Sequence, residues 1–574
     1  MILFLAFTFL IAGFLSYFLC TWTYWKRRGI PGPQGFPIMG SALEMLDYNN
    51  PPYLQLKEWT KKYGKVFGIT EGVSKTLVIS DPDLVQEVFV KQYDNFFGRK
   101  LNAIQGDPNK EKIVHVFAAQ GHRWKRLRTI TSPTFSNNSL RKLQPIIEDS
   151  ASNLLRHIEQ QTEGGKPIDL LTFFQEFTFD IIDRIAMGQT DAKQLLMFQN
   201  RRIQSVRQFF AEPRKGIFLC GALAPWSAPI LRKLIFHLPQ IFNNPTVHLI
   251  KIIKTAVETR MAQRASDEKA GIEPGEPQDF IDLFLDAKSD DVGLESDEDF
   301  TKGGVKVNKQ LTIDEIVAQC FVFLLAGFDT TALSMSYTSF LLATHPEIQS
   351  KLQEEIDREC DGDTVTFDQL SKLKYLECVV KETLRLYPLG AMANSRRCMR
   401  TTKIGEYEIE EGVNVMCDTW TLHSDKKIWG EDAEEFKPER LSQAVGDGRS
   451  VTVSDGRRLV GGWSAVSRRL VGDRLPQAIP GGRRQSQAIG EDRWEHGEEH
   501  LIQKGGYIPF GLGPRQCIGM RLAYMEEKIL LSSILRRYSL ETCEKTQNPL
   551  KLVGSRTTQP ESVWLKLTPR EDLI

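Results

Sequence analysis

One cysteine near the C-terminal end lies where a protein would favour a thiolate over a thiol. Cys517 belongs to the sequence FGLGPRQCIG (510–519), whose glycines and proline exclude a regular helix. The loop is followed directly by the strongly helical sequence MRLAYMEEKILLSSILRRY. Free backbone N–H groups and the helix dipole stabilise a thiolate at this position, and Arg515 adds a positive charge. A buried, unreactive thiol at the start of a helix is an equally good interpretation of these residues taken alone.

The other cysteines and the overall charge exclude several classes of protein. The chain contains nine cysteines without CxxC pairs, which argues against a disulfide framework and against a structural zinc site. Lys and Arg together number 73, as do Asp and Glu, so the net charge does not indicate a nucleic-acid partner. A content of 41% apolar residues in a chain of 574 is enough for a large folded core.

The spacing FxxGxRxCxG resembles the haem-binding signature of the cytochrome P-450 superfamily. Its fixed positions are Phe510, Gly513, Arg515, Cys517 and Gly519. The resemblance implies that Cys517 is the axial metal ligand of haem b, with Phe510 and Arg515 beside the cofactor. A thiolate ligand pushes electron density onto the iron and favours cleavage of the O–O bond. Because a single motif can arise by chance, the family's other motifs should occur upstream in order, and they do.

The first of these motifs is AGFDTT (326–331), which places polar residues inside a long apolar helix. Taken alone, the hydroxyl of Thr330 would satisfy itself on a preceding backbone carbonyl. The sequence resembles the family's oxygen-activation motif, in which the small Ala326 leaves space over the haem. The resemblance implies that Thr330 orients a proton-bearing water and that Asp329 helps to supply the proton.

The second motif is KETLR (381–385), in which Glu382 and Arg385 share one face of a helix. An isolated surface pair of this kind would contribute less than ~0.5 kcal/mol. The resemblance instead implies a buried group completed by Arg440 of FKPER, followed here by Leu441 where the family usually has an aromatic residue. An incomplete buried pair costs roughly 3–5 kcal/mol, so these residues are predicted to stabilise the fold around haem.

Two basic motifs resemble those that bind the haem propionates in the family. In WKRLR (124–128), the resemblance implies that Trp124 and Arg128 reach the propionates, and an Arg fork suits a carboxylate. In SRRC (395–398), it assigns the same role to Arg396, or to Arg397 if the register is shifted by one residue. A solvated basic helix face is the alternative interpretation of WKRLR.

The first 25 residues contain no charged side chain and read MILFLAFTFLIAGFLSYFLCTWTYW. About 20 apolar residues in a helix cross a ~30 Å hydrocarbon core, and the basic residues at 26–28 hold the following chain in the cytosol. The sequence therefore predicts a single-pass transmembrane anchor at 1–25, with Trp22, Tyr24 and Trp25 at the lipid interface. The resemblance implies that this membrane is that of the endoplasmic reticulum. A cleaved signal peptide and a buried N-terminal helix are the alternatives.

A basic and proline-rich hinge is predicted at 26–50, and a catalytic domain at 51–574. The pattern predicts a mainly α fold with small β-sheets (α+β), and the resemblance implies the cytochrome P-450 fold. The aromatic-rich segment 209–245 fits either the core or a second membrane-touching surface. Helical periodicity predicts helices at 81–93, 140–160, 170–187, 247–267, 313–344, 346–359 and 375–386. Short runs predict strands at 65–70, 75–80, 413–418 and 563–568.

Residues 442–494 interrupt this domain with a repetitive sequence. SQAVGDGR (442–449) recurs as SQAIGEDR (486–493), and the stretch is rich in Gly, Arg, Ser and Gln. Its apolar content is too low to build a core, which predicts a disordered insertion. A retained intron, absent from the mature protein, is the favoured alternative. In similar proteins this part of the fold lies where the electron donor docks, so the insertion could disturb that contact.

These features together predict a haem-thiolate monooxygenase that inserts one oxygen atom into a lipophilic small molecule. The chain has no GxGxxG motif, so electrons are expected from NADPH through a separate flavoprotein reductase, with cytochrome b5 as a further candidate partner. Two alternatives stay open. One is a haem-thiolate isomerase or dehydratase that needs no electrons, and the other is a haem-binding protein silenced by the insertion.

Overall fold

The computed structural model describes residues 2–101, 104–188, 201–210, 215–238, 245–272, 277, 279–288, 310–360, 365–441 and 505–570. The insertion predicted at 442–494 lies outside the described residues. Within them the fold is mainly helical with small β-sheets, which confirms the predicted fold class. The α-helices are, in chain order, α1 Ile2–Trp22, α2 Tyr24–Arg27, α3 Pro52–Tyr63, α4 Pro82–Gln86, α5 Gly121–Thr131, α6 Asn137–Thr162, α7 Leu170–Met187, α8 Arg201–Phe210, α9 Lys215–Leu223, α10 Ala228–His237, α11 Pro245–Lys269, α12 Phe280–Asp286, α13 Ile313–Thr344, α14 Pro346–Glu359, α15 Phe367–Leu370, α16 Lys374–Leu386, α17 Thr419–His423, α18 Lys426–Trp429 and α19 Met520–Arg537.

Within the described residues, the strands form four small sheets. The largest has the order β1-β2-β7-β4, in which β2 and β7 run parallel and the other pairs run antiparallel. A three-stranded sheet has the order β3-β11-β8, and β5–β6 and β9–β10 are two-stranded hairpins. The strands are β1 Val66–Glu71, β2 Ser74–Ile79, β3 Ile168–Asp169, β4 Ser395–Arg397, β5 Thr402–Ile404, β6 Tyr407–Ile409, β7 Asn414–Cys417, β8 Tyr538–Glu541, β9 Leu552–Val553, β10 Gln559–Pro560 and β11 Trp564–Pro569.

The helix predicted at 81–93 is divided in two. It begins as α4, where the Asp81 side chain accepts hydrogen bonds from the backbone N–H groups of the first turn. It continues as a π-helical turn, Glu87–Lys91. The backbone carbonyl of Phe89, in this wider turn, lies against Gly513 of the Cys517 loop. The irregular turn therefore belongs to the support of that loop, which periodicity alone does not indicate.

Helix α13 is the central element of the core. Thr312 and Glu315 form a reciprocal capping box at its N-terminus. Of the described helices, α13 is the one that meets a length and hydropathy criterion for a membrane span, yet 78% of its apolar window is buried inside the protein. The apolar residues of α13 therefore belong to the protein core, where this helix contacts α7, α11, α16 and α19.

Tyr24 and Trp25 lie in the protein core and not at a lipid interface. Trp25 is 6% exposed, and its ring covers Gly68 of β1, where a Cβ would come within 2.2 Å of the ring. The Trp25 Nε1 donates to the Ile69 carbonyl at 2.9 Å, and the Tyr24 hydroxyl donates to Glu410 at 2.9 Å. The predicted interfacial cluster is therefore wrong for these two residues, because glycine at position 68 leaves a slot that the indole fills.

Candidate functional site

The loop that carries Cys517 is held in one shape by its own backbone. A 3₁₀ turn, Gly513–Arg515, precedes the cysteine, and the Cys517 N–H donates to the Phe510 carbonyl at 2.9 Å. Gly513 has a φ of +73°, and a Cβ there would lie 2.1 Å from the Phe89 carbonyl oxygen. Only glycine meets both conditions without strain. Phe510 packs edge-on against Tyr524 of α19, with ring centroids 5.2 Å apart, which fixes the start of the loop.

The surroundings of Cys517 combine exposed surface with enclosure by protein. The residue retains exposed surface, yet enough protein surrounds it that burial raises its thiol pKa. These two observations agree if the exposed surface borders an interior space and not bulk solvent. The backbone N–H groups of Gly519 and Met520 and the charges of Arg128 and Arg99 act in the opposite direction and lower that pKa. The residues around the sulfur thus favour the thiolate, whereas its enclosure opposes it.

Four arginines surround the same space. Arg128 of α5 and Arg396 of β4 come from the sequence motifs, and Arg515 comes from the cysteine loop itself. Arg515 donates to the Ala119 carbonyl at 2.6 Å, and its guanidinium lies 4.8 Å from the ring centroid of Trp124. The fourth is Arg99, which donates to the Ala393 carbonyl at 2.5 Å.

The arginine cluster, defined as Arg99, Arg128, Arg396 and Arg515, concentrates positive charge in an enclosed region. Burial lowers the pKa of Arg396 to about 9, with a further contribution from the Arg515 charge. Burial and the neighbouring guanidinium groups also lower the pKa values of Arg99 and Arg128. Within the described part of the chain, no carboxylate forms an ion pair with Arg99, Arg128 or Arg396. The buried Nε atoms of Arg99 and Arg396 find no hydrogen-bond partner there either.

Sequence reasoning missed Arg99 and left Arg396 ambiguous. Arg397 is exposed and Arg396 is 2% exposed, so Arg396 is the one that joins the cluster. Arg99 is 6% exposed, and its guanidinium lies 4.0 Å from the ring centroid of Phe117. Its signal in the sequence is weak: a single Arg directly after the apolar run NFFG (95–98). Only the fold brings that position beside β4 and α5.

On the other side of the space, α13 presents its AGFDTT motif. Ala326 is exposed although its neighbours on the helix are mostly buried, so it borders the internal space. Gly327 turns towards α7, where a Cβ would lie 2.9 Å from the Ile182 side chain. The Thr330 hydroxyl donates to the Ala326 carbonyl at 2.8 Å, the self-satisfied arrangement that a helical Thr adopts without any catalytic role.

Asp329 lies beneath this surface and is fully buried. Its carboxylate accepts hydrogen bonds from the Thr557 hydroxyl at 2.7 Å, the Gln559 amide at 2.9 Å and the Gln175 amide at 3.3 Å. Burial raises the pKa of Asp329, and these hydrogen bonds partly oppose the rise. The described contacts of Asp329 therefore join α13 to α7 and to the β9–β10 hairpin, while Thr330 stays at the edge of the open space.

The structure brings Glu382, Arg385 and Arg440 together in a buried group. Arg385 forms a fork with the Glu382 carboxylate, both N–O distances being 2.8 Å, and Arg440 Nε donates to it at 3.0 Å. Arg385 also donates to the carbonyls of His423 and Ala433 at 2.8 and 2.6 Å. The side chains of Glu382, Arg385 and Arg440 are 0%, 0% and 4% exposed. The group ties α16 to the segment that leads towards the cysteine loop.

The chain is similar in sequence to one large family over most of its length. The family model described as Cytochrome P-450 matches residues 30–458 and 491–566 and passes over 459–490. Among curated proteins of Caenorhabditis elegans, the chain is 54% identical over 571 residues to cytochrome P-450 CYP13A10, with 99% of both chains covered. It is 54% identical over 567 residues to CYP13A1, covering 98% of each, and 51% identical over 575 residues to CYP13A7. The names of these relatives give their family but do not state a substrate.

Proposed function

The chain belongs to the cytochrome P-450 family, and we propose that it inserts one oxygen atom from O2 into a lipophilic small molecule. Family membership implies a haem cofactor and monooxygenase chemistry in general. The observation that carries the proposal is the arginine cluster beside Cys517. Among the described residues, Arg99, Arg128 and Arg396 have no carboxylate partner, and enclosed guanidinium groups of this kind are costly unless an anion joins them. The two propionates of haem b supply such anions, and a thiolate at Cys517 supplies the ligand for its iron.

The residues present therefore fit haem. Arg99, Arg128, Arg396 and Arg515 would hold the propionates, with Trp124 supporting Arg515, and Cys517 would hold the iron. When bound in this way, haem supplies the activation of dioxygen. Ala326 is small enough to leave room for dioxygen and substrate on the α13 side.

Thr330 is proposed to help deliver the proton that oxygen activation requires, by orienting a water molecule. Because its own proton is donated to the Ala326 carbonyl, its oxygen is free to accept a hydrogen bond from a water in the open space. Asp329 is proposed as the acid that replenishes the proton, since burial raises its pKa and favours the protonated form. Replacing Thr330 by alanine should lower the product formed per NADPH consumed more than it lowers substrate binding.

An NADPH-dependent flavoprotein reductase is the proposed electron donor, with cytochrome b5 as a second. Helices α5, α6 and α19 carry four exposed basic residues, namely Lys125, Arg141, Lys142 and Arg521, of which Arg141 pairs with Asp368. Arg521 reaches Asn137 at the start of α6, so the basic positions of α6 and α19 are close in space. A basic surface favours the approach of an acidic partner domain.

The endoplasmic reticulum membrane is the proposed location, with α1 as its single-pass anchor. Helix α1, Ile2–Trp22, is uncharged and long enough to cross a hydrocarbon core. A second apolar surface supports membrane contact, because Trp226, Ile230 and Leu234 are 62%, 63% and 42% exposed at helical spacing. We expect removal of residues 2–22 to weaken membrane association without abolishing it, as measured by fractionation after a carbonate wash.

The test of function is turnover of the full-length protein reconstituted with a flavoprotein reductase. Incubation with NADPH, isotopically labelled dioxygen and a panel of lipophilic compounds should give products with one labelled oxygen atom. Turnover without NADPH would instead favour an isomerase or dehydratase. A matched variant lacking residues 442–494 addresses the silenced-protein alternative. If the full-length protein is reduced as fast as this variant, the insertion does not block electron transfer.

A further inference from the structure

A further cation, without a carboxylate partner in the described part of the chain, lies on the α13 side, away from the arginine cluster. Arg556 is in the turn of the β9–β10 hairpin and is only partly exposed. Within the described residues it forms no ion pair and no hydrogen bond through its guanidinium group. Burial alone lowers the pKa of Arg556, to about 10, so the side chain stays protonated at neutral pH. A largely enclosed charge of this kind is costly unless a partner completes it.

Aromatic rings compensate only part of this charge. The Arg556 guanidinium lies 4.2 Å from the ring centroid of Phe209 and 6.0 Å from that of Phe218. Cation–π contacts of this kind are weaker than the cost of enclosing an unpaired charge. The rings also surround the cation with apolar surface, which suits an anion carried on a lipophilic body.

The backbone around Arg556 is fixed, so the side chain is held in place. The Thr557 hydroxyl donates a hydrogen bond to the Asp329 carboxylate on α13 at 2.7 Å, and the Thr558 N–H donates to the Leu389 carbonyl at 3.0 Å. Gly554 N–H donates to the Tyr48 carbonyl at 3.0 Å on the other side of the turn. The hairpin thus places Arg556 beside the α13 segment that contains Ala326 and Thr330.

An apolar path leads from Arg556 along α13 in the direction of Ala326. Phe209 contacts Phe321 of α13, with ring centroids 6.1 Å apart, and Phe210 contacts Phe328, also at 6.1 Å. Ala326 lies between Phe321 and Phe328 in the sequence of that helix. A molecule with its charged end at Arg556 would therefore lay its apolar body along Phe209 in the direction of Phe321, because the Phe328 ring is fully buried.

We propose that Arg556 selects lipophilic monoanions as substrates by binding their carboxylate or sulfate group, while Phe209 and Phe218 enclose the adjoining apolar chain. This assignment rests on the proposed oxygenase function only for what happens to the bound molecule. Binding itself is a separate property, which can be measured without turnover.

The test compares dodecanoate with dodecanol, which share a chain and differ in charge. Binding to the haem-loaded protein is measured by equilibrium dialysis and by the shift of the haem absorption band. Dodecanoate should bind the wild-type protein roughly ten- to a hundredfold more tightly than dodecanol. Arg556→Gln should abolish this preference, and Arg556→Lys should keep part of it. An equal affinity for both compounds in the wild type, or an undiminished preference in Arg556→Gln, would overturn the proposal.

Thermal stability provides a second measurement of ligand binding, one that does not depend on the haem absorption band. If Arg556 is an uncompensated cation, Arg556→Gln should be at least as stable as the wild type without ligand. Dodecanoate should then raise the melting temperature of the wild type and not that of Arg556→Gln. A clear loss of stability in unliganded Arg556→Gln would mean that the residue has a structural role, contrary to the proposal. Failure of NADPH-dependent turnover with an intact binding preference would count against the oxygenase function alone.

Discussion

Replacing Glu382 by glutamine should destabilise the protein far more than a glutamate-to-glutamine change usually does. The Glu382 carboxylate accepts four hydrogen bonds, two from Arg385, one from Arg440 and one from the Lys437 N–H. Glutamine keeps the shape but loses the charge, and its NH2 group would face a guanidinium donor. Two arginine side chains, 0% and 4% exposed, would then lack most of their compensation.

The expected cost follows from that burial. Breaking a buried ion pair by removing one partner costs roughly 3–5 kcal/mol, because the remaining charge stays desolvated. Arg385 retains its carbonyl acceptors and Arg440 retains Asp432, so we expect a loss near the lower end, about 3 kcal/mol. The same substitution at Glu439 provides a matched control. Glu439 pairs with Lys351 where both side chains are about half exposed, 51% and 52%, so its loss should cost at most ~1 kcal/mol.

Urea unfolding of the haem-loaded variants, followed by circular dichroism, measures these differences. The loss of stability in Asp432→Asn should lie between those of the other two variants. This substitution removes one partner of Arg440, and the Asp432 side chain is 34% exposed. From most to least destabilising, the expected order is thus Glu382→Gln, Asp432→Asn and Glu439→Gln. If Glu382→Gln does not accumulate as folded protein, the stabilities of the other two variants can still be compared. A Glu382→Gln variant as stable as Glu439→Gln would refute the reasoning.

Other substitutions test the site and its supports. Gly513→Ala should reduce haem retention more than Gly164→Ala, since both have positive φ but only position 513 has a backbone oxygen 2.1 Å from the added Cβ; absorbance after gel filtration measures this. Arg99→Leu should weaken haem retention and stabilise the haem-free protein, whereas the exposed Arg397→Leu should do neither. Burial raises the pKa of Glu527 to about 8, so the folded state binds the extra proton and stability should fall as pH rises from 4.5 to 8. Glu527→Gln should reduce that slope by up to ~1.4 kcal/mol per pH unit in urea titrations, and an unchanged slope would contradict the assignment.

The parts of the site that lie in short motifs could be predicted from sequence. The spacing around Cys517 predicts a loop before a helix, and the structure has a 3₁₀ turn followed by α19. The strand predicted at 75–80 is β2, and the helix predicted at 313–344 has those same ends. These features depend on residues within one segment, where periodicity and turn chemistry act directly.

The parts that depend on contacts between distant segments could not be predicted. Arg99 joins the arginine cluster because β4 and α5 meet beside it, and no local pattern marks it. Trp25 is buried because Gly68 leaves space in a different element. The sequence does not single out Arg556 either, since its lack of a partner among the described residues is visible only once the hairpin is placed against α8, α9 and α13. Charged residues can be identified from the sequence, but whether a charge has a partner depends on the fold.

The most direct test of the central claim is the absorption spectrum of the reduced, carbon monoxide-bound protein. The wild type should show the Soret band at the position typical of thiolate ligation, and so should Cys543→Ser, a control at another cysteine. Cys517→His should lose that band while retaining haem, because the arginine cluster remains to bind the propionates. Persistence of the thiolate band in Cys517→His, or its absence from the haem-loaded wild type, would contradict Cys517 as the iron ligand.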